Sequence, residues 1–313
     1  MAAMSDTEDR TASLMTPARL AQLRTRPAAA ASPAAWLDQL AADAGSGHAR
    51  RLVELHGQLQ AQAGEPFFGT AQATLRALGE QAPGLAFDAL QPRGWLARAT
   101  GRGKEEAAGF VAAQGRIARA LEDLQEDVRA LQKKAAAQRA ATERILVEFD
   151  VEVRAIEKIM DQGARWLQDM RNQLKAREAQ GGADAERQRI AEDAARCELL
   201  VARLKLLRAA TSAAQQAVER GRAAIARRAS LLAALQQFLD GEAATWQQRL
   251  APLAEAARTG GAPRGGVEPA REAQQALEAA ARALAREAGE LQAQEAALAG
   301  ELAAWQAPLQ AAA

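Results

Sequence analysis

The sequence predicts an all-α protein: an elongated antiparallel helical hairpin, coiled-coil-like, with a small helical N-terminal head and a C-terminal packing helix. Ala, Leu, Gln, Glu and Arg dominate a composition with 4% aromatic residues and no tyrosine, which favours long helices over sheets. No proline, the residue that most reliably breaks a helix, occurs between Pro92 and Pro252. Within that stretch, the pair Gly181-Gly182 divides residues 104–258 into two arms of nearly equal length. Matched helices on either side of a tight turn predict an antiparallel hairpin.

Residues 1–34 are predicted to form a disordered leader. They mix Ser, Thr, Asp and Arg with an Ala/Pro tract and carry no sustained apolar period. A short helix is expected after Thr16-Pro17, with an apolar face too small to be stable alone.

Residues 35–103 are predicted to form the small helical head. Short apolar runs are separated there by glycine and proline, which is typical of turns between short helices. We expect the four large aromatic residues of this region to pack against one end of the hairpin: Trp36, Phe67, Phe68 and Phe87.

The first arm of the hairpin carries apolar residues at spacings of three and four, which predicts a helix with one continuous apolar stripe. Between Gln138 and Thr142 this stripe becomes polar. The polar stretch marks a bend, a device that sets the register, or a place where a third helix stops packing. The predicted stripe is Phe110, Ile117, Leu121, Leu124, Val128, Leu131, Ala135, Ile145, Phe149, Ile156, Met160, Leu167, Met170 and Leu174.

The second arm repeats this spacing after the two glycines, which adopt left-handed turn conformations at little cost. We expect a break in this arm at Asp240-Gly241. At 1.5 Å per residue, each unbroken arm would extend for ~110 Å. The predicted stripe is Ile190, Cys197, Val201, Leu204, Leu207, Val218, Ile225, Leu232, Leu235, Leu239, Trp246, Leu250 and Leu253.

The C-terminal region is predicted to contain a Gly/Pro linker over residues 259–269 and a last helix over residues 270–313. The helix has leucines at positions 277, 284, 291, 298 and 302. We therefore expect it to pack along one end of the hairpin and to form a partial three-helix bundle there.

Charge and cysteine content restrict the classes of function. The 40 Lys and Arg residues nearly balance the 39 Asp and Glu residues, so no overall field attracts nucleic acid or an anionic membrane. The basic middle third of the second arm lacks interleaved aromatic residues, and we expect no nucleic-acid binding. The single cysteine and the absence of an N-terminal apolar signal favour the cytoplasm. No apolar run reaches the length of a membrane-spanning helix.

Three groups of residues carry side chains of the kinds found in chemical sites. His48 and His56, near Glu54, lack the spacing of metal ligands, which favours packing or surface roles. Cys197 lies on the apolar stripe, where it is a small hydrophobic residue rather than a reactive thiol beside Arg196.

The third group is an acidic cluster, for which a solvated helix face is favoured over a cation site. Arg119 and Arg129 lie at ion-pairing spacing from it along the helix. The sequence therefore predicts no catalytic residue, no cofactor-binding residue and no metal ligand. The cluster is Glu122, Asp123, Glu126 and Asp127.

The sequence resembles the bacterial toxic-anion (tellurite) resistance protein family, TelA-like, over roughly residues 50–255. The resemblance includes a glycine ahead of a final leucine near the hairpin tip, here Gly163 and Leu167, and a late tryptophan phrase around Trp246. Thr245 stands where the family has proline. The segments that carry the resemblance are residues 110–131, 155–167, 186–190 and 231–250, with Leu55-His56-Gly57 in the head.

This resemblance implies a long central helical hairpin and a cytoplasmic role in resistance to tellurite or related stress, with no established catalytic residues. We expect a non-enzymatic scaffold or adaptor with protein partners. Peripheral membrane association and homo-oligomerisation stay open. The alternatives are a coiled-coil tether of cell-envelope or plasmid-maintenance machinery and an enzyme that acts on the oxyanion through Cys197.

Overall fold

A computed structural model describes residues 43–63, 66–90, 102–259 and 266–313, and it is all-α over those ranges. The predicted fold class is confirmed: two long helical arms pair in antiparallel fashion, preceded by short head helices and followed by a packing helix. The predicted leader, its short helix and Trp36 lie outside the described residues, as do residues 260–265 of the predicted linker. The helices are α1 (Ser46–Ala63), α2 (Gly69–Gln81), α3 (Arg102–Ala179), α4 (Asp184–Phe238), α5 (Ala244–Thr259) and α6 (Val267–Ala312).

Helix α3 runs without interruption for 78 residues. It contains no proline, and alanine, leucine, arginine, glutamate and glutamine, which all lose little entropy in a helix, make up most of it. Most of its predicted apolar stripe is buried, from Phe110 at 2% exposure to Leu174 at 7%. The 3.6-residue period therefore sets which face of α3 turns inward.

The chain reverses direction at residues 180–183, between α3 and α4. Gly181 has φ +63°, a left-handed conformation that costs a residue with a side chain about 1 kcal/mol or more. Its amide donates a hydrogen bond to the carbonyl of Glu178 at 3.3 Å. At the start of α4, the carbonyl of Ala183 accepts a hydrogen bond from the amide of Glu186 at 2.8 Å. Gly181 alone therefore supplies the left-handed conformation, and the expectation of a second one at Gly182 was wrong. Gly182 instead leaves space for α4, because a Cβ at that position would lie 2.8 Å from Cβ of Glu186.

Contacts divide the chain into two compact units, and the boundary crosses both arms. The described part of the first unit comprises residues 43–44 and 163–204. Its α3 and α4 segments pair through a small apolar core, and Arg177 bonds to Glu186 at 2.8 Å and to Asp193 at 2.7 Å. The buried residues of this core are Leu167, Leu174, Ile190, Cys197 and Leu200.

Gly163 permits close packing inside this first unit. A Cβ at that position would lie 3.0 Å from a terminal carbon of Leu204 on the opposite arm. The glycine that carries part of the family resemblance therefore has a packing role in this chain.

The second unit contains residues 45–162 and 205–313. In its described part, α1, α2 and α5 each pack on α6. One core joins apolar side chains of α2, α3, α4, α5 and α6, which confirms that the last helix packs against the hairpin. Phe67, Phe68 and Phe87 are buried in this core, and Phe87 meets Phe110 edge-on at 5.8 Å between ring centroids.

A π turn over Leu239–Ala243 replaces the break that was expected at Asp240-Gly241. The buried residues before the turn, Leu235 and Phe238, are followed by Ala243 and Trp246, so one interval is five residues long. A π turn accommodates one extra residue without ending the helix. The apolar stripe consequently stays on the core side as α4 passes into α5.

We predict that Gly181→Ala destabilises the hairpin turn by about 1 kcal/mol, because alanine at positive φ is strained. Denaturant unfolding followed by circular dichroism measures this change. The matched control is Gly109→Ala: position 109 is exposed in α3 and its Cβ would meet nothing within 4 Å. The control should gain up to about 1 kcal/mol from helix propensity. Equal effects of the two substitutions would contradict the role of the left-handed turn.

Candidate functional site

The polar stretch Gln138–Thr142 lies where α3 meets the head. Thr142 is buried, and its Oγ1 lies 2.6 Å from Oε1 of Gln62 on α1 and 2.8 Å from the carbonyl of Gln138. A buried hydroxyl needs such partners, because leaving it unpaired costs about 1–3 kcal/mol. The polar interruption of the stripe is therefore a built contact between helices.

Arg228 of α4 completes this contact. Its Nε donates to Oε1 of Glu295 on α6 at 2.5 Å, and its Nη1 donates to Oε1 of Gln138 at 3.2 Å. The guanidinium also lies over the ring of Phe67, 4.9 Å from the centroid. The side chains of Arg228 and Glu295 are only 15% and 6% exposed.

We call Gln62, Gln138, Thr142, Arg228 and Glu295 the Arg228 network. It connects α1, α3, α4 and α6 through groups that each require their partner at one position. A slip by one turn would leave a buried charge unpaired, which is strongly unfavourable. Of the three interpretations of the polar stretch, the structure supports a device that sets the register.

The groove beside this network is lined by groups that already have partners. It has a volume of about 260 Å³ and includes Arg220, Arg227 and Glu295. Arg220 lies 3.4 Å from Glu301, and Arg227 donates to Gln294 at 2.6 Å. Its charges are therefore satisfied within the helix bundle.

A second groove, of about 590 Å³, lies between α2 and α6. It is lined by Arg76, Arg282 and Arg286 with Glu80. Arg282 pairs with Glu278 at 2.6 Å, and its side chain is 56% exposed. Exposed arginines of this kind are well solvated, and the groove has the character of an open charged surface.

The two histidines hold α1 in place. His48 Nδ1 lies 2.6 Å from Glu152 on α3, and buried His56 donates from Nε2 to the carbonyl of Leu302 on α6 at 2.7 Å. Burial lowers the pKa of His56, against a smaller raising effect of its hydrogen bond to Leu302. Among the residues that the structure describes, no three His, Cys, Asp or Glu side chains form a group that could hold a metal ion.

Cys197 lies in the core of the first unit and is 2% exposed. Burial raises the pKa of its thiol, and nearby Asp193 and Glu198 raise it further, while Arg171 lowers it. The neighbouring Arg196 pairs with Asp193 at 3.0 Å. These surroundings favour the protonated thiol, which is a poor nucleophile.

The acidic cluster is a solvated helix face, except at half-buried Asp127. Burial raises the pKa of Asp127, and the charges of Asp123 and Glu126 add to that effect. Arg119 and Arg129 lie at ion-pairing spacing from the cluster, but neither bonds to a described acid. Exposed pairs gain too little free energy to hold long side chains in one rotamer.

Several arginines in the basic third of the second arm already bond to other parts of the chain. Arg222 pairs with Asp150 at 2.6 Å, Arg228 belongs to the network, and Arg203 donates to the carbonyl of Ala44 at 2.9 Å. A phosphate backbone would have to compete with these internal partners.

Trp246 reveals a polar contact that sequence reasoning missed. Its Nε1 donates to Oε1 of Gln274 on α6, whose Nε2 donates to the carbonyl of Ala82 at 2.6 Å. Both side chains are buried. The one available signal was a glutamine in the apolar register of α6, between Ala270 and Leu277.

Comparison of the chain with protein-family models, with curated proteins and with solved structures found no match. Family membership accordingly stays a prediction. Among the described residues, no helix contains an apolar stretch long enough to cross a lipid bilayer.

We predict that Arg228→Met destabilises the protein by about 3 kcal/mol, since Glu295 would remain buried without its partner. The double substitution Arg228→Met with Glu295→Leu should recover most of this loss, because it removes both buried charges. Guanidinium unfolding of both single variants and the double variant gives the coupling energy. Additive effects would show that the pair does not act as a unit.

We predict that His56 lowers stability in mild acid. Its folded-state pKa is depressed, so the unfolded chain binds the proton more readily and stability falls as pH drops below about 6.5. His56→Gln should flatten that part of the profile of unfolding free energy against pH, whereas His48→Gln should retain the fall. An unchanged profile in His56→Gln would count against this assignment.

Proposed function

We propose that this protein is a non-enzymatic helical scaffold or adaptor associated with resistance to toxic anions such as tellurite, acting through protein partners in the cytoplasm. One observation carries the proposal: residues that resemble the toxic-anion resistance family lie at packed positions of the hairpin. Phe110 through Val128 supply one side of the main core, Gly163 packs against Leu204, and Trp246 is fully buried. The resembling residues thus hold the hairpin together.

The surroundings of Cys197 support a non-enzymatic role. A cysteine that reduces or binds an oxyanion needs an accessible thiolate. Cys197 instead has a 2% exposed side chain and a raised pKa. The hypothesis of an enzyme that acts on the oxyanion depends on Cys197 as its reactive group, and these surroundings argue against that role.

The polar interior also fits a scaffold. The Arg228 network uses its charged and amide groups to join four helices, so these groups stabilise the architecture and are not left for a substrate. A scaffold needs a defined surface for partners, and a network that sets the register provides one.

The alternative is a coiled-coil tether of cell-envelope or plasmid-maintenance machinery, which would have the same helical periodicity. The two functions differ in phenotype: loss of a resistance adaptor raises sensitivity to tellurite, whereas loss of a tether affects envelope integrity or plasmid retention. Contact with the inner face of the membrane and self-association are compatible with both.

We predict that cells lacking the gene become tellurite-sensitive and that Cys197→Ala restores growth as well as the wild-type gene does. The reason is that the thiol fills space and performs no chemistry. Growth on graded tellurite, with protein levels measured by immunoblot, tests this. The matched control is Leu124→Asp, which places a charge in the core and should abolish both folding and complementation.

Two outcomes would contradict the proposal. Failure of Cys197→Ala to complement, with helicity intact in the purified protein, would favour the enzyme. Normal tellurite tolerance in the deletion strain, together with plasmid loss or envelope defects, would favour the tether.

A further inference from the structure

A second heptad stripe lies on the face of α3 that turns away from the core. Residues 140, 144, 147, 151, 154 and 158 follow alternating steps of four and three, the spacing by which one helix packs along another. All six are exposed, whereas Ile145, Phe149 and Val153 on the opposite face are buried. We call these six residues the outer seam: Ala140, Arg144, Val147, Val151, Arg154 and Lys158.

The centre of the outer seam is apolar. Val147 and Val151 are 59% and 57% exposed, two of only four large apolar side chains so exposed in the described part of the chain. They stand one helical turn apart and form a continuous patch on α3. Side chains at such positions are the knobs that a neighbouring helix receives.

The two ends of the outer seam are cationic and have no acidic partner. Arg144, Arg154 and Lys158 make no hydrogen bond or ion pair with a described residue. The acids between them are engaged elsewhere: Asp150 pairs with Arg222 at 2.6 Å, and Glu157 accepts from Gln215 at 3.0 Å.

The remaining acids of this stretch are engaged as well. Glu143 pairs with Arg139 at 2.7 Å, Glu148 bonds to Arg51, and Glu152 bonds to His48 at 2.6 Å. The acids of α3 between residues 143 and 157 therefore all have internal partners, while the three cations of the outer seam have none among the described residues.

This charge pattern selects the occupant. A second copy of α3 would place cations opposite cations in either orientation, because both ends of the outer seam are positive, and like-charge pairing is unfavourable. A helix with an apolar centre and acidic ends would complement both features. Two valines bury too little apolar surface to anchor the protein to a lipid bilayer.

We propose that the outer seam is the docking site for an acidic amphipathic helix of a partner protein. This inference rests on the proposed scaffold function and names the partner class. The partner helix places two apolar residues against Val147 and Val151 and carries carboxylates toward Arg144, Arg154 and Lys158. Apolar contact supplies part of the affinity, and the charges select the partner and its register.

The test uses the full chain and a synthetic peptide of about 28 residues, four heptads, with two central leucines and glutamates at the flanking seam positions. A control peptide has lysine in place of each glutamate. Fluorescence anisotropy of the labelled peptides measures Kd at about 50 mM and about 300 mM NaCl, which changes the screening length. The acidic peptide should bind, with weaker binding at the higher salt, and the basic peptide should not.

Charge reversal gives the sharpest variant. Arg144→Glu with Arg154→Glu and Lys158→Glu should weaken acidic-peptide binding by about a hundredfold and create binding of the lysine peptide. The matched control is Arg116→Glu with Arg119→Glu and Arg129→Glu. These three exposed residues lie on the same helix, and the control makes the same change in net charge. It should change Kd by less than about threefold.

The apolar centre has its own variant. Val147→Ser with Val151→Ser should weaken binding about tenfold at both salt concentrations, since it removes contact and leaves charge unchanged. Leu206→Ser, at an exposed position of α4, is the control and should leave Kd unchanged. Circular dichroism checks that each variant keeps its helicity.

Four results would overturn the proposal. The acidic peptide does not bind the full chain; the seam and control reversals weaken it equally; or phosphatidylglycerol vesicles bind through the seam arginines while the peptide does not. A seam-dependent dimer in ultracentrifugation would likewise replace the partner helix by a second copy.

Failure here is distinguishable from failure of the proposed function. Absence of peptide binding with a tellurite-sensitive deletion strain would reject the outer seam and leave the resistance role. Seam-dependent peptide binding with a tellurite-tolerant deletion strain would support the outer seam and reject the resistance role.

Discussion

The buried pair of Arg228 and Glu295 is the constraint on which the second unit depends. Interfaces made of alanine and leucine are similar at successive turns, so several helix registers bury comparable apolar area. A guanidinium and a carboxylate with 15% and 6% exposed side chains tolerate only the register that brings them together. With Gln138, Thr142 and Gln62, this pair joins α4 and α6 to the first arm and the head.

The same principle recurs at the other polar positions of the core. Trp246 and Gln274 tie α5 and α6 to the turn after α2, and His56 ties α1 to α6. In each case a buried donor meets an acceptor from a distant part of the chain. Groups that might suggest chemistry in the sequence are thereby used for assembly, which is why the proposed function is a scaffold.

Use of charges inside the bundle also shapes its surface. Helix α3 bonds its acids between residues 143 and 157 to α1, to α4 or to its own Arg139. The outer face keeps Arg144, Arg154 and Lys158 on either side of two exposed valines. This excess of positive charge gives the outer seam its preference for an acidic helix. Folding contacts and partner choice are thus connected through one set of carboxylates.

The sequence alone determined the all-α class, the antiparallel pairing, the reversal at Gly181-Gly182 and most of the buried stripe. These features depend on local properties: helix propensity, the absence of proline, the 3.6-residue period and the conformational freedom of glycine. The burial of Phe67, Phe68 and Phe87 in the main core was predictable from the size and apolarity of these side chains. The interpretation of Cys197 as a small hydrophobic residue also depends on a local property, its position on the apolar stripe.

Only the tertiary structure decided which partners the polar residues find. Glu295 for Arg228, Gln274 for Trp246 and Leu302 for His56 are separated by 67, 28 and 246 positions in the chain, and periodicity carries no information over such distances. The π turn at residues 239–243 likewise depends on the need of Trp246 to face a core built by α6. Arg119 and Arg129 have the right spacing for ion pairs and form none with a described residue, because solvation of exposed charges competes with local geometry. Local patterns specify elements, and the desolvation of buried groups specifies how those elements fit together.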